Sequence, residues 1–193
     1  MKSITVFCGA STGNDPIYVS VARLVGATLA AAGVRVIYGG ACIGVMGAVA
    51  DAALEAGGHV VGVIPYFLRS REVAHYGLSD LIITETMHER KMKMQELCDG
   101  FIALPGGFGT LEELFEVLTW AQLGLHTKPI GLLNTDGYYD SLIAMADDMV
   151  TRGFLKPVYR NMLLTSNEMG DLLHQMQVYR APEVEKWLTD ETT

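Results

Sequence analysis

The feature that most limits how this chain can fold is a rhythm. Short, continuously apolar runs alternate with longer amphipathic stretches, and glycines cluster where one passes into the other. Ser3–Cys8 (SITVFC), Arg35–Tyr38 (RVIY), His59–Ile64 (HVVGVI), Leu81–Glu85, Gly100–Leu104, Pro129–Leu133 and Leu163–Thr165 read as strands. Pro16–Ala32, Val45–Ala56, Met87–Cys98, Thr110–Leu125, Tyr138–Arg152 and Glu168–Gln177 read as helices. Strands that are apolar throughout, rather than at every second residue, are covered on both faces. The order therefore calls for an α/β fold, Rossmann-like and doubly wound, with a mainly parallel sheet and helices on both faces. A chain of 193 residues suits one such domain, here residues 1–181, with 182–193 as a loose tail.

Composition limits the partners. The net charge of -8 disfavours nonspecific binding to nucleic acid or to an anionic membrane. No apolar run is long enough to cross a bilayer, and the opening MKSITVFCGAS is interrupted too early to be a signal peptide. The three cysteines, Cys8, Cys42 and Cys98, are far apart and form no metal or redox pair, which fits reduced thiols in a cytoplasm. The five histidines show no metal-ligand spacing, and no metal or cofactor is expected. Hydrophobic residues make up 50% of the chain, which suggests an apolar surface buried in an oligomer.

In doubly wound folds ligands sit at the carboxyl ends of the strands. Three glycine-bearing turns fall there: CGAST with Gly13, then YGGACIGVMG, then PGGFGT. Taken singly, each is ordinary loop geometry. Together they describe a place where backbone amides and a helix N-terminus hold a phosphate. None is a Walker loop, and GGACIG does not have the spacing of a dinucleotide fingerprint.

The third turn opens a helix with two acids. On a helix starting near Thr110, Leu111, Leu114, Phe115, Leu118 and Gln122 share the expected core stripe. Glu112 and Glu116 share a neighbouring, solvated face, where an acid complements the helix dipole. Glu113 falls beside Val117 and Trp120, a surface that reads as a cleft wall or a subunit contact.

At this point the residues carry a resemblance. PGGFGTLEE matches PGGxGTxxE, and the chain resembles the LOG (Lonely Guy) family of cytokinin riboside 5'-monophosphate phosphoribohydrolases, long labelled lysine decarboxylase-like. FCGAS, YGGACIGVMG, MHERK and LTWAQLGLHTKPIGLLNTDGYYD extend the likeness along nearly the whole chain. Ala41, Val45 and Ala10 depart from the family's usual glycine, leucine and serine.

The resemblance implies hydrolysis of the N-glycosidic bond of a nucleoside 5'-monophosphate, AMP or an N6-prenylated AMP. The products are free base and ribose 5-phosphate. It implies Arg90 and Glu113 as catalytic groups. It implies a substrate site made of Glu72, Arg90, Lys91, Gly106, Gly107, Phe108, Gly109, Thr110, Leu111, Glu112, Glu113 and Thr119. A homodimer is implied too. The chemistry agrees: cleaving this bond builds positive charge at the anomeric carbon, which a carboxylate stabilises. The rival is a binding module, similar to the molybdenum-cofactor carriers, that holds a phosphate ligand without turning it over. Glu113 with Arg90 favours the enzyme.

Overall fold

The computed structural model describes residues 1–68 and 73–183. Seven strands form one sheet: β1 (Ser3–Phe7), β2 (Arg35–Tyr38), β3 (Val60–Pro65), β4 (Asp80–Thr84), β5 (Gly100–Ala103), β6 (Ile130–Leu133) and β7 (Leu163–Ser166). Their spatial order is β4-β3-β2-β1-β5-β6-β7, and every pairing is parallel. The helices are α1 (Pro16–Ala31), α2 (Gly44–Glu55), α3 (Tyr66–Leu68), α4 (Met87–Glu96), α5 (Phe108–Gln122), α6 (Asp140–Thr151), α7 (Pro157–Arg160) and α8 (Met169–Val178). Each strand expected from the apolar runs is present within a residue or two. The short helices α3 and α7 carry no periodic signal, being three and four residues long.

Apolar side chains on both faces of each strand build two cores. Ile4, Val6, Val36, Ile102 and Leu104 face α1, α2 and α8, where Val25, Leu29, Val49 and Leu172 meet them. Phe7, Ile37, Val61, Phe101 and Ala103 face the other way, onto Met94 of α4 and Leu114, Val117 and Ala121 of α5. This is the doubly wound arrangement. Thr5 is a polar residue inside: fully buried, its hydroxyl donates to the Met94 carbonyl at 2.9 Å and ties α4 to the sheet.

The sheet order reverses between β1 and β5. Chain leaving β1 is wound toward β2, and chain leaving β5 is wound toward β6, so the loops after these two neighbouring strands part and leave a crevice. The Gly9 amide donates to the Pro105 carbonyl at 3.2 Å across its floor.

Candidate active site

A cavity of about 490 Å³ opens at this crevice. The loop after β1 (Cys8–Gly13), Gly39 after β2, Val45 and Met46 of α2, Arg90 of α4, and Pro105–Gly107, Gly109, Thr110 and Glu113 line it. Tyr18 and Tyr138 stand at the same cavity. All three glycine turns singled out in the sequence thus meet at one place.

The three helices that begin here are not equivalent. The amides of α1 are satisfied locally: Pro16 has none, and Asp15 accepts from the Ile17 N–H at 2.8 Å. The first turn of α2 is filled by the loop after β1, as Val45 N–H reaches Ser11 O at 3.3 Å and Met46 N–H reaches Gly9 O at 3.1 Å. α5 has neither provision. Gly107 is its N-cap and offers no side chain, Gly107 and Gly109 are exposed, and no described carbonyl accepts from the Gly109 or Thr110 N–H. An uncovered helix N-terminus facing a cavity is a site for an anion. Gly106 has a packing reason to be glycine: a Cβ there would lie 2.8 Å from the Gly9 amide nitrogen and on top of the Thr110 hydroxyl.

One turn deeper along α5 is Glu113, 8% exposed, and opposite it is Arg90, also 8% exposed. Arg90 Nη2 stands 3.3 Å from Glu113 Oε1, and Arg90 Nε donates to the Val63 carbonyl at 3.1 Å. α4 delivers the arginine from a well-capped start: Thr86 accepts from the Glu89 N–H, and the Glu89 carboxylate reaches back to the Glu85 N–H. Burial pushes the Glu113 carboxyl above its ordinary range, and the Arg90 guanidinium opposes the shift without cancelling it. Burial likewise pushes the neighbouring Cys8 thiol up, with the Glu113 charge adding to it, so this thiol remains protonated.

The residues singled out from the sequence divide into three groups. Arg90, Gly106, Gly107, Gly109, Thr110 and Glu113 line the cavity. Phe108, Leu111, Lys91, Glu112 and Thr119 do not. Phe108 projects into solvent at 93% exposure, and Leu111 packs on the second core. Lys91 Nζ is held by Glu112 Oε1 at 2.5 Å and Glu116 Oε1 at 2.8 Å, a bridge between α4 and α5 beside the cavity. Thr119 points to the far side of α5, where its hydroxyl donates to Phe115 O. Glu72 lies outside the described residues, as do the last ten residues of the expected tail.

The rotation of α5 differs from the periodic reading. Its buried side is Thr110, Glu113, Leu114, Val117 and Ala121. Val117 is 3% exposed and Trp120 packs on the second core, so this surface is interior rather than a subunit contact. The expected core stripe is partly open instead. Leu114, Phe115, Leu118 and Gln122 line a second cavity of about 220 Å³ with Leu142, Met145 and Met149 of α6. Glu113 can turn inward because Arg90 meets it there, a partner that spacing along α5 does not reveal.

Tyr138 was not anticipated. It follows a turn in which Asp136 and Gly137 both have positive φ, 52° and 69°. Its hydroxyl donates to the Gly106 carbonyl at 2.6 Å, while Tyr139 donates to the Leu104 carbonyl at 2.7 Å from within the core. Two tyrosines thus clamp the glycine turn from the β6 side. The only sequence sign was the pair of adjacent tyrosines after TDG.

Comparison with known proteins gives the family. A family model described as "Possible lysine decarboxylase" matches residues 46–176, well over half of the chain. A cytokinin riboside 5'-monophosphate phosphoribohydrolase of Arabidopsis thaliana is 44% identical over 185 residues, covering 96% of this chain and 85% of its own length. The chain belongs to the LOG family. A probable member from Oryza sativa subsp. japonica is 45% identical over 178 residues, 92% of this chain and 78% of that one. Among solved structures, the molybdenum cofactor binding protein of Rippkaea orientalis superposes with a TM-score of 0.69 at 21% identity. It covers 92% of this chain and 96% of its own, a likeness of fold alone. Within the LOG family fold, the cavity, the uncovered α5 N-terminus and the Arg90–Glu113 pair lie together at the switch point of the sheet.

Proposed function

We propose that this chain hydrolyses the N-glycosidic bond of a purine nucleoside 5'-monophosphate, AMP or an N6-modified AMP, to free base and ribose 5-phosphate. The observation that carries the reading is a buried Arg90–Glu113 pair one helical turn from an uncovered helix N-terminus, in the same cavity. The names of the relatives support the same substrate class. The 5'-phosphate sits on the Gly107–Thr110 amides and the Thr110 hydroxyl, which places the ribose toward Glu113. The bond between C1' and the base nitrogen breaks with its electron pair going to the base. The Glu113 carboxylate stabilises the cationic sugar and takes a proton from the attacking water, whose oxygen bonds to C1'; that proton then passes to the departing base, which leaves neutral, and Glu113 returns to the carboxylate. Arg90 donates hydrogen bonds that orient the substrate and stabilise the departing base. Decarboxylation through a lysine Schiff base has no support here. Among the described residues no lysine lines the cavity, and Lys91 is engaged by two carboxylates.

A panel of nucleoside 5'-monophosphates with chromatography of the products tests the reading. Release of base and ribose 5-phosphate from AMP or a prenylated AMP is expected. Tight binding of these nucleotides with no product would turn the reading into that of a binding module.

A homodimer is proposed through the groove between α5 and α6. Phe115 and Met145 are 42% and 53% exposed on it, beside Leu118 and Met149. An apolar groove with two exposed large side chains supports a subunit contact, and Thr119, on the same side of α5, then belongs to that contact. Light scattering should give a dimer mass. Met145→Asp should shift it to a monomer, and a monomeric wild type at micromolar concentration would refute the proposal.

A further inference from the structure

Gly39 is a glycine whose own backbone does not require one. Its neighbour Gly40 has a φ of 75°, but Gly39 is not among the residues with positive φ. What it lacks is room. A Cβ at Gly39 would stand 2.2 Å from Arg90 Nη2, 3.4 Å from Arg90 Cζ and 3.0 Å from Met46 Sδ. The nitrogen it would strike is the one that faces Glu113 Oε1 at 3.3 Å. Arg90 is therefore located by the Val63 carbonyl on Nε, Met87 Sδ 3.9 Å from Nη1, the Glu113 carboxylate on Nη2, and the bare Cα of Gly39 against the same Nη2.

We propose that Gly39 is a positioning residue for the reaction, reserving by its missing side chain the space in which the Arg90 guanidinium lies against Glu113. The proposal rests on the reading of Arg90 and Glu113 as the working pair. A methyl group at position 39 needs an ordinary contact distance, so Nη2 must retreat by roughly 1 Å, a displacement on the scale that costs an enzyme about a hundredfold. The end of an arginine side chain is flexible and moves at little cost to folding. The substitution thus separates position from stability. It leaves the α5 N-terminus untouched, so binding of the phosphate is unaffected.

The test is a double-mutant cycle of Gly39→Ala and Arg90→Lys, read by kcat and KM for the nucleoside monophosphate that the wild type turns over best. Thermal melting and the side-chain Nε–H resonance of Arg90 in nitrogen-15 NMR accompany it, the resonance being assigned by its disappearance in Arg90→Lys. Gly39→Ala should melt within a few degrees of the wild type, keep KM within threefold, lose tenfold to a hundredfold in kcat, and shift the resonance. In the Arg90→Lys background it should cost less than threefold more, because the group it displaces is gone. Losses that multiply across the cycle, a Gly39→Ala enzyme at the wild-type rate, or a Gly39→Ala chain that fails to fold would each overturn the proposal. If the wild type turns over no nucleotide, the functional reading falls by itself. The placement of Arg90 is then judged by the resonance, and no shift in Gly39→Ala overturns it.

Discussion

Glu113→Gln is the sharpest perturbation of the site. It preserves shape and most hydrogen-bonding capacity, and it removes the charge that a developing cation at C1' requires. Removing one catalytic electrostatic or general-base group costs about a hundredfold in kcat, or about 2.7 kcal/mol of barrier. Binding of AMP should survive, because the α5 amides are unchanged and one negative charge near an anion is gone. Glu112→Gln is the control from the adjacent residue: Glu112 is exposed and pairs with Lys91, which Glu116 still holds. An exposed pair of this kind is worth about 0–1 kcal/mol and has no path to the chemistry.

The pH dependence gives a second reading of the same variant. Burial raises the folded-state pKa of Glu113 above its ordinary value of 4.5, so the folded protein binds this proton more tightly than the unfolded chain. The stabilisation is complete below that value and is lost as pH rises through the folded pKa. Relative to the wild type, Glu113→Gln should gain in melting temperature as pH rises from 4.5 toward 7. The acid limb of the wild-type kcat/KM profile should lie above that of an ordinary carboxylate. Steady-state kinetics on both variants, with melting curves across pH, make the measurement. Equal losses in Glu112→Gln and Glu113→Gln, or wild-type turnover by Glu113→Gln, would show that Glu113 is not the working carboxylate.

Other outcomes follow from the same geometry. Adenosine should be a poorer substrate than AMP by a hundredfold or more, since each charged hydrogen bond lost at the α5 N-terminus is worth about 1.5–3 kcal/mol; equal turnover in a base-release assay refutes the phosphate assignment. Tyr138→Phe removes the bond to the Gly106 carbonyl and should raise KM for AMP several-fold while leaving kcat within threefold; a selective loss of kcat would place the hydroxyl in the chemistry instead. His126 donates from Nε2 to Val117 O and accepts the Lys128 N–H at Nδ1, so it is held neutral, and burial lowers its pKa from 6.5. Its stabilisation is complete above pH 6.5 and falls as pH drops below that value. Melting curves of the wild type should show this fall, and those of His126→Gln should not.

Much of this protein is legible in its sequence. The apolar runs named every strand because a strand covered on both faces must be apolar throughout, a local property. PGGFGT marked the turn that opens α5 onto the cavity because it combines a helix start with the absence of side chains, and both are written in consecutive residues. The resemblance carried by MHERK and PGGFGTLEE singled out Arg90 and Glu113. What remained hidden depended on contacts between distant segments. Periodicity assigned α5 a face but not the side that presses on the sheet, and Glu113 turned inward because an arginine from α4 waits there. Which of three glycine turns stays open was decided by neighbours: Ser11 and Gly9 carbonyls fill α2, Asp15 caps α1, and nothing described covers α5. Tyr138 and Gly39 bear on the site only because β6 and β2 end at the same edge as β5. Local sequence determines elements and turns through short-range sterics and hydrogen bonding. The site is a set of long-range juxtapositions, and only the winding of the sheet about its switch point brings them within contact distance.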